Sequence, residues 1–310
     1  MMQQARNTGS TPHELSVVTP YRLDLTVSAL RRLPSNLVDV YTADGRYLRA
    51  CDDGGVCAIT CVQQTNDATL SVQVHGEADP RVALARVQRM LGTDRDLSRF
   101  YQQAQEISWL APLVQRMRGL KPPRYPTLWE ACVNAIVFQQ ISLHAATSIM
   151  RRVVTALGDR TVYDGIPLVV FPDAARFLRA PDDALRAAGL SSGKLATLQR
   201  AARAIVEDTL HEEMLLAETS AGAATMLRTI KGIGPWTAAV ILLRGLGRLD
   251  AFPANDSGVA ANLTMVAGKP LDATAVAEAL GPQRGMLYFT LLLARLESRD
   301  EIGRVSDVAQ

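Results

Sequence analysis

The twelve residues 227–238, LRTIKGIGPWTA, constrain this chain more than any other segment. One apolar run ends at Ile230, a second begins at Trp236, and Gly232-Ile233-Gly234 lies between them. That pattern predicts two short helices joined by a tight glycine hairpin over 225–246. A glycine at each position lets the backbone turn sharply and then approach a neighbour that a β-carbon would block. The hairpin amides open the second helix, so its N-terminus and dipole offer a place for an anion such as a DNA phosphate. Lys231 and Arg228 add positive charge nearby. A plain turn between two ordinary helices would use the same residues.

The segment FPAND at 252–256 supplies the next fixed point. Between Gly234 and Asp256 lie 22 steps of chain, room for a helix over roughly 235–246, a linker and a new helix start. Pro253 and Asn255 mark the turn, and Asp256-Ser257 falls at the start of the following helix. An aspartate that only caps this helix contributes about 1 kcal/mol. A capping position also fixes a carboxylate in space, which is what a catalytic carboxylate beside DNA would need. The capping and the catalytic role are compatible in one residue.

Bulk properties narrow the field. At 310 residues the chain has room for two domains and an ample core. Its net charge of +2 is nearly neutral, so a nucleic-acid footprint has to be a local stripe. No apolar run approaches the ~18 residues of a membrane span. The opening MMQQARNTGSTPHE lacks an apolar signal core, so a cytoplasmic protein without a membrane partner is expected. Cys51, Cys57 and Cys61 have gaps that match no familiar zinc pattern, and Cys132 lies far away. All four are expected as small buried hydrophobes, with no metal site.

Residues 1–19 and 301–310 are polar and are expected as flexible tails. The chain between them divides near residue 112. Residues 20–112 read as a small antiparallel α/β domain, with LDLTVSALRRL, LVDVYTADGRYLRAC, GVCAITCVQQ and ATLSVQVHG as its strands. Turns are marked by Ala43-Asp44-Gly45 and Asp52-Asp53-Gly54-Gly55. From Asp79 to Gln105 the pattern turns helical, with Val82, Leu84, Val87, Met90 and Leu91 on one face. Beyond about residue 108 nearly everything reads as helix. The fold class is therefore α+β, with residues 113–300 forming a two-lobed all-α domain whose cleft Asp256 faces.

Segment 227–262 resembles the helix-hairpin-helix, Gly/Pro-rich loop and Asp of the base-excision DNA glycosylase superfamily. Within it, the 3-methyladenine DNA glycosylase II branch of alkylation-repair enzymes is the most similar. EACVNAIVFQQIS at 130–142, GLSSGKLATLQRAARAI at 189–205 and FTLLLARLE at 289–297 resemble further parts of that branch, so the likeness covers about 125–297. It implies a monofunctional glycosylase that flips a damaged, alkylated purine out of double-stranded DNA and hydrolyses its glycosidic bond, leaving an abasic site. It also implies a monomer with no obligatory protein partner and no required cofactor, nucleoid-associated if bacterial. A monovalent cation at the hairpin carbonyls is left open.

The resemblance carries roles to particular residues. Asp256 is implied as the carboxylate that stabilises positive charge on the deoxyribose and orients or deprotonates the attacking water. Gln139, Gln140 and Ile141 are implied as the wedge that fills the gap in the stack, although a polar helix end has the same sequence. Lys231, Gly232, Ile233, Gly234, Thr237 and Ser142 would hold phosphates; Lys194 and Arg284 would either join them or lie on a solvated face. Trp236 stands where bifunctional members carry a Lys, and an indole cannot form a Schiff base. It would line the base pocket or sit in the core. Val240 and Gln283 fall where the branch has pocket aromatics, a departure that leaves the lesion spectrum open. Tyr288 and Phe289 either compensate or belong to the core. No Cys follows Cys132, so the four-cysteine iron–sulfur cluster of endonuclease III is absent. The competing readings are a non-catalytic helix-hairpin-helix DNA-binding module, which has no need of Asp256, and a glycosylase for another lesion.

Overall fold

The computed structural model describes residues 3–4 and 11–308. Strands β1 (Gln3–Gln4), β2 (His13–Ser16), β3 (Val40–Tyr41), β4 (Arg46–Asp53), β5 (Val56–Asn66) and β6 (Thr69–His75) come first, with helix α1 (Leu23–Arg31) after β2. Helices α2 (Pro80–Leu91), α3 (Ser98–Gln105), α4 (Ala111–Arg116), α5 (Leu128–Val137) and α6 (Leu143–Leu157) follow. A hairpin of β7 (Arg160–Tyr163) and β8 (Ile166–Val169) interrupts them. The chain then returns to helix in α7 (Ala174–Arg179), α8 (Asp182–Ala187), α9 (Ser192–Val206), α10 (Glu212–Ala217) and α11 (Ser220–Arg228). It closes with α12 (Pro235–Arg244), α13 (Ser257–Ala267), α14 (Ala273–Ala279) and α15 (Gly285–Glu297). The class is α+β, as the sequence predicts.

The main sheet has the order β2-β6-β5-β4-β3 and is antiparallel throughout. Both of its faces are covered. Val62, Leu70 and Val72 join Val87 and Met90 of α2 and Ile136 of α5 in one core. Leu48, Ala50, Ile59 and Cys61 meet Tyr163 and Leu168 of the β7–β8 hairpin. That hairpin departs from the all-helical expectation for this region. Asp164 and Gly165, with φ of 53° and 78°, close a two-residue turn of the kind that right-twisted strands favour. The alternating TVY and IPLV on either side were hidden by their brevity.

The segment LDLTVSALRRL is a helix, not the strand its apolar run implies. Residues 23 and 25–31 of α1 are all buried, so no polar stripe reveals the helical period. The reason is its position between two cores. Leu23, Val27 and Leu30 belong to the core shared by the sheet, α5, α9 and α12. Leu25 and Ala29 belong to a second core built from α3, α4 and α13–α15, including Phe100, Leu263 and Leu291. In α2 the buried face uses Ala83 where Val82 was expected, and Val82 points to solvent.

Both tails carry structure where flexibility is expected. His13–Ser16 pairs with β6 at the sheet edge. At the other end Ser306 is fully buried; its N–H donates to the Tyr41 carbonyl (2.8 Å) and its hydroxyl accepts from Arg31 Nη1 (2.8 Å). Paired backbone supplies the order that polar composition conceals. Residues 1–2, 5–10 and 309–310 of the expected tails lie outside the described residues.

Candidate active site

The glycine hairpin forms where the sequence places it. α11 ends at Arg228, Ile233 N–H closes the turn onto the Ile230 carbonyl (3.0 Å), and Pro235 opens α12. Gly232 has φ of 104°, and a β-carbon there would lie 2.0 Å from Thr197 Oγ1 of α9. Its requirement is therefore internal: the hairpin backbone presses against α9. Arg200 of the same helix donates to the Lys231 carbonyl at 2.9 Å and secures the contact. Gly234 is different. It has no positive φ, a β-carbon would meet nothing within 4 Å, and no side chain caps α12. The open α12 N-terminus with exposed Lys231 beside it is the part of the hairpin that an external anion can reach. Ile233 is buried as an apolar plug, and Thr237 is buried too.

Asp256 is the N-cap of α13 and is half-buried. Its Oδ1 accepts from the Val259 amide at 2.9 Å, and its Oδ2 accepts from Trp236 Nε1 at 2.7 Å. The indole thus ties the carboxylate to the first turn of α12. α12 packs into the first core through Val240 and Ile241, whereas α13 packs into the second through Val259 and Leu263. Asp256 consequently sits at the junction of the two cores.

The loop after α5 reaches the same junction. Gln139 Nε2 donates to the Gly232 carbonyl (3.0 Å) and to Thr237 Oγ1 (2.7 Å), so it braces the hairpin instead of projecting outward. Gln140 is exposed with φ of 55°, a conformation uncommon for a side-chain-bearing residue. Ile141 beside it is an exposed large apolar side chain, 37% accessible. Ser142 caps α6 through a bond from the Ala145 amide to its hydroxyl.

Residues 133–279 match the family model described as the HhH-GPD superfamily base excision DNA repair protein. The chain is similar to this superfamily over that span, just under half of its length. It is also similar to DNA-3-methyladenine glycosylases. It is 29% identical to the DNA-3-methyladenine glycosylase of Bacillus subtilis over 66% of this chain and 70% of that one. It is 33% identical to DNA-3-methyladenine glycosylase 2 of Escherichia coli over 44% of this chain and 48% of that one. Among solved structures, a 3-methyladenine DNA-glycosylase from Archaeoglobus fulgidus superimposes with a TM-score of 0.78 at 26% identity, covering 92% of this chain and 99% of its own.

Against that superfamily pattern the sequence-derived site residues divide. Asp256, Trp236, Gly232, Gly234, Gln139 and Thr237 converge. Val240 and Phe289 are buried in the two cores. Gln283 lies elsewhere: its Oε1 accepts from the Phe100 amide (2.8 Å) and its Nε2 donates to the Asp96 carbonyl (2.9 Å), so it caps α3. Lys194 donates to the Val137 carbonyl at the end of α5 (2.8 Å), and partial burial lowers its pKa. Tyr288 is half-buried, with its hydroxyl 3.4 Å from Arg32 Nη2.

Arg32 is the residue that sequence reasoning missed. It follows α1, is only 4% exposed, and stacks its guanidinium 3.8 Å over the Phe138 ring. Burial pulls its pKa down, but Tyr125, Tyr288 and Asp256 more than offset that, and the net shift is upward. The one available signal was the pair Arg31-Arg32 ending an otherwise apolar run. A second buried guanidinium, Arg244, lies 4.9 Å from the Tyr125 ring and donates to the Ala29 and Leu30 carbonyls.

Proposed function

We propose that this chain is a monofunctional DNA glycosylase that extrudes damaged, alkylated purines from duplex DNA and hydrolyses their N-glycosidic bond. The abasic site is the product. The observation that carries this reading is Asp256, held by an α13 amide on one oxygen and by the hairpin indole on the other. A carboxylate fixed next to a phosphate-binding turn lies where positive charge develops on the sugar as the base departs. The same carboxylate orients the attacking water and takes its proton. Trp236 supplies no amine, so strand cleavage through a Schiff base is not part of the reaction.

The supporting parts follow the same logic. Gly234 and the open N-terminus of α12, with Lys231, hold a backbone phosphate. Gln140 and Ile141, both exposed on a strained turn, enter the stack when the nucleotide leaves it, which offsets an unstacking cost of a few kcal/mol. No cofactor is required. The carbonyls of Ile230, Lys231 and Gly232 already accept hydrogen bonds, and the Arg200 guanidinium on Lys231 opposes a cation there, so no step is assigned to one. Among the described residues no helix is long and apolar enough to cross a membrane; we place the enzyme in the cytoplasm, with DNA, as a monomer.

The test is base release from methylated duplex DNA by the wild type and Asp256→Asn. The variant is expected to lose release by at least about a thousandfold while its duplex affinity stays level or rises. Release at near wild-type rate would remove Asp256 from the chemistry. Strand scission without alkali would remove the monofunctional assignment.

A further inference from the structure

Away from the glycine turn, α6 and the β7–β8 hairpin border a trough of about 610 Å³. Its floor is apolar. Leu168 and Val169 of β8 are buried there, with Leu37 and Val308 half-buried beside them. Val169 also packs with Val38 and Val154 in a small core of its own, which fixes the floor from beneath. Arg151, Arg152 and Ala156 of α6 form one wall, and Arg160 of β7 stands opposite the floor's open side. The helix sets this spacing: Val153, Val154 and Leu157 turn inward, which leaves positions 151, 152, 155 and 156 on the outer face.

The walls are cationic without compensation. Among the described residues no carboxylate lines the trough and none of the three arginines is ion-paired. The neighbouring acids Asp159 and Asp164 are taken by Arg176 and Arg46. Asp307, next to Val308, is exposed and is not among the walls. Three unpaired positive charges in one place exceed the +2 of the entire chain. Arg152 is held in position: its Nε donates to the Ala188 carbonyl at 2.8 Å, and Gly189 leaves it space, since a β-carbon there would lie 2.7 Å from Nη2.

This surface stands apart from Asp256 and the wedge loop. Arg151 follows the α6 cap Ser142 by about 14 Å along the helix axis, and Ala156 by about 21 Å. A DNA backbone brings charge for the arginines but nothing that covers an apolar floor. A small-molecule pocket encloses most of its ligand, whereas Arg151, Arg152, Arg160 and Pro167 are all exposed here. Carboxylates spaced along a peptide, with an apolar side chain between them, match both the guanidinium groups and the floor.

We propose that this trough docks an acidic peptide segment of a partner protein. A large apolar side chain of that segment sits on Leu168 and Val169, and flanking carboxylates pair with Arg151, Arg152 and Arg160. The proposal goes beyond the glycosylase reading and does not depend on it.

The probe is a fluorescein-labelled peptide with three aspartates on either side of a Phe-Leu pair, followed by fluorescence anisotropy at physiological ionic strength. It is titrated with the wild type, with the double variant Arg151→Glu/Arg160→Glu, and with Ala156→Trp, whose indole fills the trough from an exposed helical position. Saturable wild-type binding is expected to weaken at least about tenfold in the double variant and about fivefold in Ala156→Trp. Replacing Phe-Leu by Gly-Ser in the peptide should also cost about fivefold, a comparison that needs no change to the protein. Base release from methylated duplex DNA should stay at the wild-type rate in both variants. Absence of saturable wild-type binding overturns the proposal. Equal affinity for the Gly-Ser peptide overturns it too, since the arginines would then act as a general anion exchanger. Displacement of the peptide by undamaged duplex, with duplex affinity lost in the double variant, overturns it in favour of a DNA contact.

Discussion

Gly232 and Gly234 stand two positions apart and answer to different neighbours. Gly232 faces Thr197 inside the protein, at a φ of 104°. Gly232→Ala is therefore expected to destabilise the fold by roughly 2–4 kcal/mol, read as a lower urea midpoint. Gly234 faces open space, so Gly234→Ala should cost less than about 1 kcal/mol as a poorer N-cap. Its added methyl group instead obstructs a phosphate approaching the α12 amides, and duplex affinity should drop roughly tenfold. Equal effects of the two changes on stability would contradict this division. Trp236 is likewise defined by one bond, from its indole N–H to Asp256. A hydrogen bond to a charged partner contributes about 1.5–3 kcal/mol, so Trp236→Phe should slow base release roughly 10- to 100-fold with DNA binding kept. An unchanged rate would reduce the indole to a packing role.

At the scale of elements, α5 is the helix on which the rest is hung. Every residue from Leu128 to Val137 is buried, including Glu130. Glu130 shares Arg49 of β4 with Asp39: Arg49 Nη2 donates to Glu130 Oε2 at 2.5 Å and Nη1 to Asp39 Oδ1 at 2.6 Å. Burial pushes the Glu130 carboxyl up to about 7; Arg49 opposes that shift and Asp39 adds to it. Between the ordinary carboxylate value and about 7 the folded protein holds a proton that the unfolded chain has released, so stability falls as pH rises through that interval. Glu130→Gln removes this slope. Melting temperatures from pH 5 to pH 8 should decline more steeply in the wild type than in the variant, and parallel declines would rule the explanation out.

For the whole molecule, the C-terminal residues act as a clasp. Ser306 bonds to both Arg31 and Tyr41, and Arg31 also donates to the Arg304 carbonyl. Removing residues 304–310 should lower stability by roughly 2 kcal/mol, or a few degrees in melting temperature. An unchanged transition would mean that the clasp is incidental. The clasp holds the end of α1, and α1 in turn separates the two cores whose junction carries Asp256.

The hairpin and the capping aspartate were legible because each is a local motif. Glycine spacing, Pro235 and an Asp at a helix start are enforced by backbone geometry within a few residues, and the chain shows them whatever surrounds it. The amphipathic helices and the α+β class were legible through their periodicity. Tertiary structure decided what depends on distant partners. α1 hides its period because it is buried all round. Gln283 serves α3 because Phe100 and Asp96 arrive there from far along the chain. Gly232 is required by Thr197, 35 positions away. Arg32 becomes a buried, strained donor only once Phe138 and Tyr288 close around it, contacts that no local pattern encodes.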